Sequence, residues 1–327
     1  MGAKFFSNAL SQWVKGFSRW LPALLSLGLF SLCIWAIIHE LQKYQPQVVI
    51  AHIQAIPRPT LTLALGLTAL NYLFLTGYDI LARFFVHHRL PYVKTALVAA
   101  ISYAISNSVG FALLSGSAIR YRFYAAWGLT PGQITQIIAF CNLSFWIGLL
   151  AVGGLVFALE PLTIPSILHL PFDTVHPLGI LFLVVIATYL GLSCWSRRPL
   201  KIRGWIIPRL PLQLSLAQIA VTSCDWALAA AILYVLLPKD SGLPYLVFFS
   251  SYLLAEIAGV LSNVPGGLGV FETVLILLVS PPLGSDALLG ALLIYRVIYY
   301  LTPLLIGVML LAAYELYRHP YRRRLLP

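Results

Sequence analysis

Runs of roughly 20 apolar residues recur along this chain, the length a helix needs to span the hydrocarbon core of a bilayer. They fall at residues 21–39, 60–82, 95–114, 133–158, 176–195, 212–237, 245–261, 268–280 and 287–313. The runs are continuous and do not alternate at every second residue, so they read as helices and not as barrel strands. With 60% hydrophobic and 9% charged residues, the chain lies far from the roughly 25% charged content of soluble domains. The polar gaps reach only about 20 residues, too short for a separate core. The sequence predicts an all-α polytopic membrane protein, a single transmembrane domain over residues 1–327.

The net charge of +11 does not point to nucleic acid, because the basic residues sit in short loops between apolar runs. Such loops carry the cytoplasmic bias of Lys and Arg. The four cysteines, Cys33, Cys141, Cys194 and Cys224, all lie in apolar runs without a C-x-x-C pair. They read as small buried hydrophobes. No histidine spacing suits a metal, and there is no nucleophile elbow or P-loop. No cofactor, metal or catalytic motif is expected. Asn142-Leu-Ser matches a glycosylation triplet but falls inside a span. At the N-terminus, Phe6, Leu10, Trp13, Phe17 and Trp20 recur at helical spacing among Lys4, Lys15 and Arg19. This predicts a basic amphipathic helix over 1–20 lying on the anionic leaflet. The run at 21–38 lacks a small-residue cleavage site and reads as an anchor.

Signing the loops by charge has a geometric consequence. Arg83, Arg89 and Lys94 precede the run 95–114, and Arg120 and Arg122 follow it. Both flanks belong in the cytoplasm, so this segment must enter the bilayer and return. The loop 196–211 and the tail 316–327 are also basic and cytoplasmic. The runs 245–261 and 268–280 begin and end outside, as a hairpin around Pro265-Gly266-Gly267. Irregular backbone at membrane depth is tolerated only against protein or a wet cavity. The expectation is about six crossings plus two re-entrant elements, with both termini inside. Thr76-Gly-Tyr-Asp79 resembles Thr222-Ser-Cys-Asp225, and Ile105-Ser-Asn107 resembles Leu261-Ser-Asn263. These echoes suggest an inverted repeat, 21–160 and 161–315, and paired interrupted segments point to a transporter's binding site.

Two motifs carry the candidate site. In the first, Ser106-Asn107-Ser-Val-Gly110 leads to Gly116-Ser-Ala-Ile-Arg120-Tyr-Arg122. Its arginines either hold a lipid phosphate bidentately or act as ordinary cytoplasmic anchors. In the second, Ser262-Asn-Val-Pro265-Gly266-Gly267-Leu-Gly269-Val-Phe-Glu272 breaks a helix. A helix restarting near Leu268 points its positive end at the break, a seat for an anionic head group. The alternative is a plain extracellular turn, against which Glu272 inside the next apolar stretch argues. Asp79, Asp225, Glu256, Glu272 and Arg296 are isolated charges inside spans and should face one another or a cavity. Arg83, one turn on, is the simple partner for Asp79. Arg296 is a candidate clamp on Glu256 or Glu272, and Asp225 or Glu256 a candidate proton relay.

Together, Tyr78-Asp79, Ser-Asn-Ser-Val-Gly-Phe, Arg120-Tyr-Arg122, Val-Pro-Gly-Gly-Leu-Gly-Val-Phe-Glu272 and Tyr295-Arg296-x-x-Tyr299-Tyr300 resemble the transmembrane flippase domain of the lysylphosphatidylglycerol synthetase (multiple peptide resistance factor) family and its stand-alone inner-membrane relatives. The resemblance covers nearly the whole chain. It implies lipid translocation in the bacterial inner membrane, with Asp79 and Arg120 functional and the Pro265–Glu272 loop lining a cavity. The bifunctional members continue into an aminoacyl-transferase domain, whereas this sequence stops at Pro327, so the expected substrate is a phospholipid that need not be aminoacylated. The expected partners are membrane lipids. A second reading is a non-transporting membrane subunit for a separate lipid-modifying enzyme, and oligomers are compatible with either.

Overall fold

A computed structural model describes residues 56–109, 112–160, 162–164, 173–195, 200–202, 205–207, 210–238, 242–262, 264–283 and 285–323. The predicted interfacial helix 1–20 and the span 21–39 lie outside these residues. The described chain is helical: α1 Arg58–Phe85, α2 Tyr92–Val109, α3 Ala112–Ala126, α4 Pro131–Leu159, α5 His176–Trp195, α6 Leu212–Leu236, α7 Tyr245–Leu261, α8 Val270–Leu283, α9 Ser285–Tyr295 and α10 Thr302–Arg323, with a π-helical stretch Arg296–Leu301 between the last two. Among the described residues, α1, α4, α5, α6 and Leu288–Leu316 are long and apolar enough to cross a membrane. A departure from a purely helical chain occurs in the basic stretch after α5. There Leu200–Ile202 and Trp205–Ile207 form a short antiparallel pair where an irregular loop is expected.

Local chemistry sets the helix ends. Pro57, Pro211 and Pro244 occupy the N-cap positions of α1, α6 and α7. A proline at a helix entrance sacrifices no intrahelical bond. Thr130 and Gln133 close a reciprocal capping box on α4, which satisfies two orphan donors. Just before it, α3 stops in a Schellman motif: Leu129 N–H donates to the Tyr124 carbonyl and Gly128 N–H to that of Ala125, with Gly128 at φ +88°. Only a residue tolerating left-handed backbone fits there.

Large apolar side chains are exposed at the periphery, while polar side chains are enclosed within an otherwise apolar core. Leu73, Phe84, Leu181, Val184 and Met309 are more than half exposed, while Asn71, Ser144, Gln218 and Thr222 are fully enclosed. Apolar side chains at the periphery face lipid. Between helices, where burial of one more leucine brings no gain over lipid, hydrogen bonds and close backbone approach hold the contacts. Gln218 receives the Tyr189 hydroxyl at 2.6 Å and donates to Ser144 Oγ at 2.6 Å, linking α5, α6 and α4. Where α4 meets α5, a Cβ on Gly179 would stand 2.8 Å from the backbone N of Ala158, so that crossing admits only hydrogen.

The expected entering-and-returning element is present, with a corrected extent. Helices α2 and α3 pack along each other as a hairpin, and the Lys94 ammonium lies 5.2 Å over the Trp127 ring. Both ends of the hairpin are therefore together. The return limb is a full helix to Ala126, so residues 115–126 are not the loop that their arginines suggest. Tyr314 and Glu315 of α10 contact Phe123, Trp127 and Arg122 at the same end. The second element, α7 and α8, is likewise a hairpin, closed by the turn Pro265–Gly267. Helices α1 and α6 run antiparallel, since Gly77 abuts Val221 while Asn71 reaches Asp225. The short links from α1 to the first hairpin and from α6 to the second then put the two hairpin bases at opposite ends.

Candidate functional site

The site forms where α1 crosses α6, the most extensive helix contact among the described residues. The buried stripe of α1 carries Asn71, Tyr78 and Asp79 at helical spacing. The matching stripe of α6 carries Gln218, Thr222 and Asp225. The two echoing motifs thus face each other, and glycine lets them approach: a Cβ on Gly77 would meet Val221 Cγ1 at 2.8 Å.

Asp79 is wholly enclosed, and its partner is Arg120 of the first hairpin. Arg120 Nε donates to Oδ1 at 2.9 Å and Nη2 to Oδ2 at 2.8 Å, while the Tyr124 hydroxyl donates to Oδ1 at 2.8 Å. The guanidinium also lies 4.6 Å from the Tyr103 ring centroid. This fork-on-fork geometry satisfies both charges where water cannot. It corrects the i,i+4 expectation: Arg83 donates instead to the Leu90 carbonyl at the helix end. It also corrects the reading of Arg120 as a loop residue, since only 4% of it is exposed. Arg122, two residues on, points the other way and pairs with Glu315.

Asp225 has different company. Tyr78 Oη donates to its Oδ2 at 2.7 Å and Asn71 Nδ2 to its Oδ1 at 2.8 Å. The Asn71 carbonyl oxygen in turn accepts from the Tyr299 hydroxyl at 3.2 Å. Tyr72 lies beside both Asp225 and Asn107. Asn107 is at the tip of the first hairpin, one residue before Ser108, whose hydroxyl donates to the Tyr300 carbonyl at 3.2 Å.

The tip of the second hairpin completes the site. Gly266, Gly267 and Gly269 all have positive φ, near +60°, +63° and +81°, which explains a Pro-Gly-Gly-x-Gly run that any Cβ would strain. A Cβ on Gly266 would stand 3.5 Å from the Ser108 carbonyl and one on Gly267 3.3 Å from Gly259 Cα. The two hairpins therefore meet tip to tip. Arg296 fastens the turn: its Nε and Nη2 donate to Glu272 Oε1 at 2.8 and 2.5 Å, and its Nη1 donates to the Gly266 carbonyl at 3.0 Å. It lies 4.5 Å from the Tyr300 ring centroid. Of the two acids weighed as its partner, Glu272 is the one it binds. Glu256 is near enough to feel its charge and faces Tyr252, whose hydroxyl meets that of Tyr295 at 2.8 Å.

The start of α8, where an anion seat is expected, holds the protein's own carboxylate. Glu272 Oε2 accepts the Gly269 N–H at 2.8 Å, as an N3 carboxylate reaching back to its own N-cap does. An incoming phosphate would have to displace it.

Of the residues singled out in the sequence, Asp79, Arg120, Asp225, Asn107, Gly266, Gly267, Glu272, Arg296 and Glu256 come together with the Pro265 turn, while Arg122 stands apart at the hairpin base. Asn71 and Tyr103 escaped the sequence reading, and Tyr124, two residues after Arg122 at the end of the first motif, carried no role in it. Asn71 left one signal, a polar residue seven positions before Tyr78 on the same helical face. The π-helical stretch was not foreseen either. It begins at Arg296, where Thr302 N–H reaches back to the Val297 carbonyl, and such wide turns concentrate at functional sites.

The profile of the lysylphosphatidylglycerol synthase TM region matches residues 23–307. The chain belongs to that family. Within the lysylphosphatidylglycerol synthase TM family it is 51% identical over 315 residues to an uncharacterized protein of Synechocystis, covering 96% of this chain and 98% of that protein. It is 32% identical over 253 residues to the inner membrane protein YbhN of Escherichia coli, covering 77% and 79%. Against the phosphatidylglycerol lysyltransferase of Staphylococcus haemolyticus it is 25% identical over 247 residues, 73% of this chain but 27% of the transferase. The family resemblance expected from the motifs is thus a membership, and it rests on the membrane region that the transferases share.

Proposed function

We propose that this protein translocates a phospholipid with an anionic head group between the leaflets of the bacterial inner membrane. The observation that carries this reading is the meeting of two hairpin tips around buried guanidinium groups. Each guanidinium already holds a carboxylate, Asp79 on Arg120 and Glu272 on Arg296. A lipid phosphate entering the site exchanges one anion for another on the same fork, which avoids leaving a charge bare at membrane depth. Asn107, the Pro265–Gly267 turn and the surrounding tyrosines line the path. The membership in a family of lipid-synthase membrane regions agrees with this substrate class.

The test is leaflet-resolved labelling in vesicles of phosphatidylglycerol and phosphatidylethanolamine containing a trace of tail-labelled phosphatidylglycerol. Wild-type protein should bring label from the inner leaflet to an external quencher far faster than empty vesicles do. Equal rates would sink the reading. In the proposed orientation the base of the first hairpin and both termini face the cytoplasm. The single-cysteine variants Lys94→Cys and Ala125→Cys should then react with an impermeant thiol reagent only from the cytoplasmic side. Reaction from opposite sides would mean that α2 and α3 together make a net crossing.

A second reading has its own observation. The transferases contain a region like this chain within a longer protein, the match covering 27% of it. A membrane region that is joined to an enzyme in the transferases suits docking of a separately encoded lipid-modifying enzyme here. A stable co-purifying enzyme together with no label movement would favour it.

A further inference from the structure

The interior of the site does not balance its charges. Among the described residues four carboxyl groups lie there, Asp79, Asp225, Glu256 and Glu272, and two guanidinium groups, Arg120 and Arg296. Each guanidinium is bound to one carboxylate, so two acids remain over. Glu256 lies within the influence of Arg296. Asp225 has only neutral donors: the Tyr78 hydroxyl and the Asn71 amide. The titratable groups facing it are Tyr72 and Tyr78 from α1, Tyr103 from α2 and Tyr299 from the π-helical stretch. Cys141 of α4 stands one layer further, against Tyr78. Among the described residues no cation forms an ion pair with Asp225. A lone carboxylate at this depth is costly, and the usual remedy is a bound proton or a bound cation.

The surroundings suit a group that exists in two protonation states. Both carboxylate oxygens of Asp225 accept one hydrogen bond. When the carboxyl is protonated, its hydroxyl needs an acceptor. The Tyr78 hydroxyl can turn from donor to acceptor without moving its ring, so the carboxyl keeps a partner in either state. The same ring packs edge-on against Tyr103 at 5.5 Å between centroids, and Tyr103 carries Arg120 on its face. Asp225 is therefore joined through two aromatic rings to the pair that the lipid phosphate would open. On the other side, Asn71 links it to Tyr299 in the wide turn beside Arg296.

We propose that Asp225 takes up one proton from water on one side of the membrane and releases it to water on the other, coupling a proton gradient to lipid movement. The proton adds to a carboxylate oxygen and leaves from it, and no redox partner is involved. This deepens the translocase reading and rests on it for what is coupled; the proton site itself does not.

Two measurements separate the parts. In the first, wild-type protein in vesicles of phosphatidylglycerol and phosphatidylethanolamine is titrated from about pH 5 to about pH 9 while infrared difference spectra follow the carbonyl stretch of protonated carboxyl groups. A titrating band should appear and be lost in Asp225→Asn, which keeps the shape of the side chain. Asp225→Glu should restore a titrating band at a shifted frequency. Identical spectra for wild type and Asp225→Asn overturn the proton site, whatever lipid does. In the second, a pH gradient is imposed on the labelled-lipid vesicles. With one proton per lipid, the steady-state leaflet ratio should shift about tenfold for each pH unit in wild type, collapse with a protonophore, and be insensitive to the gradient in Asp225→Asn. A ratio that follows a sodium gradient instead, or ignores both, overturns the coupling. If the band is present but wild type moves no lipid, the translocase reading and the coupling fall together while the proton site stands.

Discussion

Arg120→Ala is expected to remove lipid movement and to lower stability by about 3–5 kcal/mol, the cost of leaving a buried partner charge bare. Asp79 has no exposed surface, and the alanine would leave the Tyr124 hydroxyl to donate to a carboxylate stripped of its guanidinium. Thermal denaturation in detergent should show the loss directly. Stability and function separate in the pairwise replacement. Asp79→Asn with Arg120→Gln keeps volume and hydrogen bonding without charge, so it should recover most of the stability. It should still fail to move lipid, because no fork remains for phosphate. Arg120→Lys should also fail, since an ammonium cannot bond both oxygens in one plane. If the double variant transports as fast as wild type, the pair is structural and Arg120 is not a phosphate ligand.

Arg296→Ala should have the second largest effect, about 2–4 kcal/mol by the same reasoning on a pair that is slightly less enclosed. The side chains of Arg296 and Glu272 are 4% and 15% exposed. Three things would be lost together: the ion pair, the bond to the Gly266 carbonyl, and the cation resting on Tyr300. The Pro265–Gly267 turn depends on the second of these, because its backbone is bent through positive φ and has few other fixings. The expected readout is selective loosening: proteolysis near Gly266 and faster amide exchange in α7 and α8, with α4 and α5 unchanged. Uniform loosening of all helices would show that Arg296 holds the whole bundle and not this turn.

The helices were legible because their signal is long and repetitive. The run 176–195 and the run 245–261 coincide with α5 and α7, since proline before the first turn and polar residues after the last leave little freedom. The two hairpins were expected from the signs of the flanking charges, although Arg120, read as a cytoplasmic flank, lies enclosed against Asp79; what brings the ends of the first hairpin together is the contact of Lys94 with Trp127. Pairing was less legible. Asp79 has a cation four residues away in sequence and takes one 41 residues away; only the fold of α2 and α3 decides between them. The extent of the return limb was also hidden. Arginines at 120 and 122 look like the end of an apolar run, yet α3 continues to Ala126 with one of them turned inward and the other toward Glu315. The π-helical stretch has no compositional mark at all, because Arg-Val-Ile-Tyr-Tyr-Leu suits an ordinary helix equally well.

Two stoppers seated from opposite ends and touching in the middle cannot both be drawn out by one push. In the proposed translocase, pulling back the first would uncover the central acids from one end while the second still covers them from the other. Because Gly266 rests on the Ser108 carbonyl, any retreat of one stopper also removes the surface that supports its counterpart. If the protein translocates lipid as proposed, a bulkier residue at Gly266 would act as a wedge between the tips, and lipid movement should lose its selectivity.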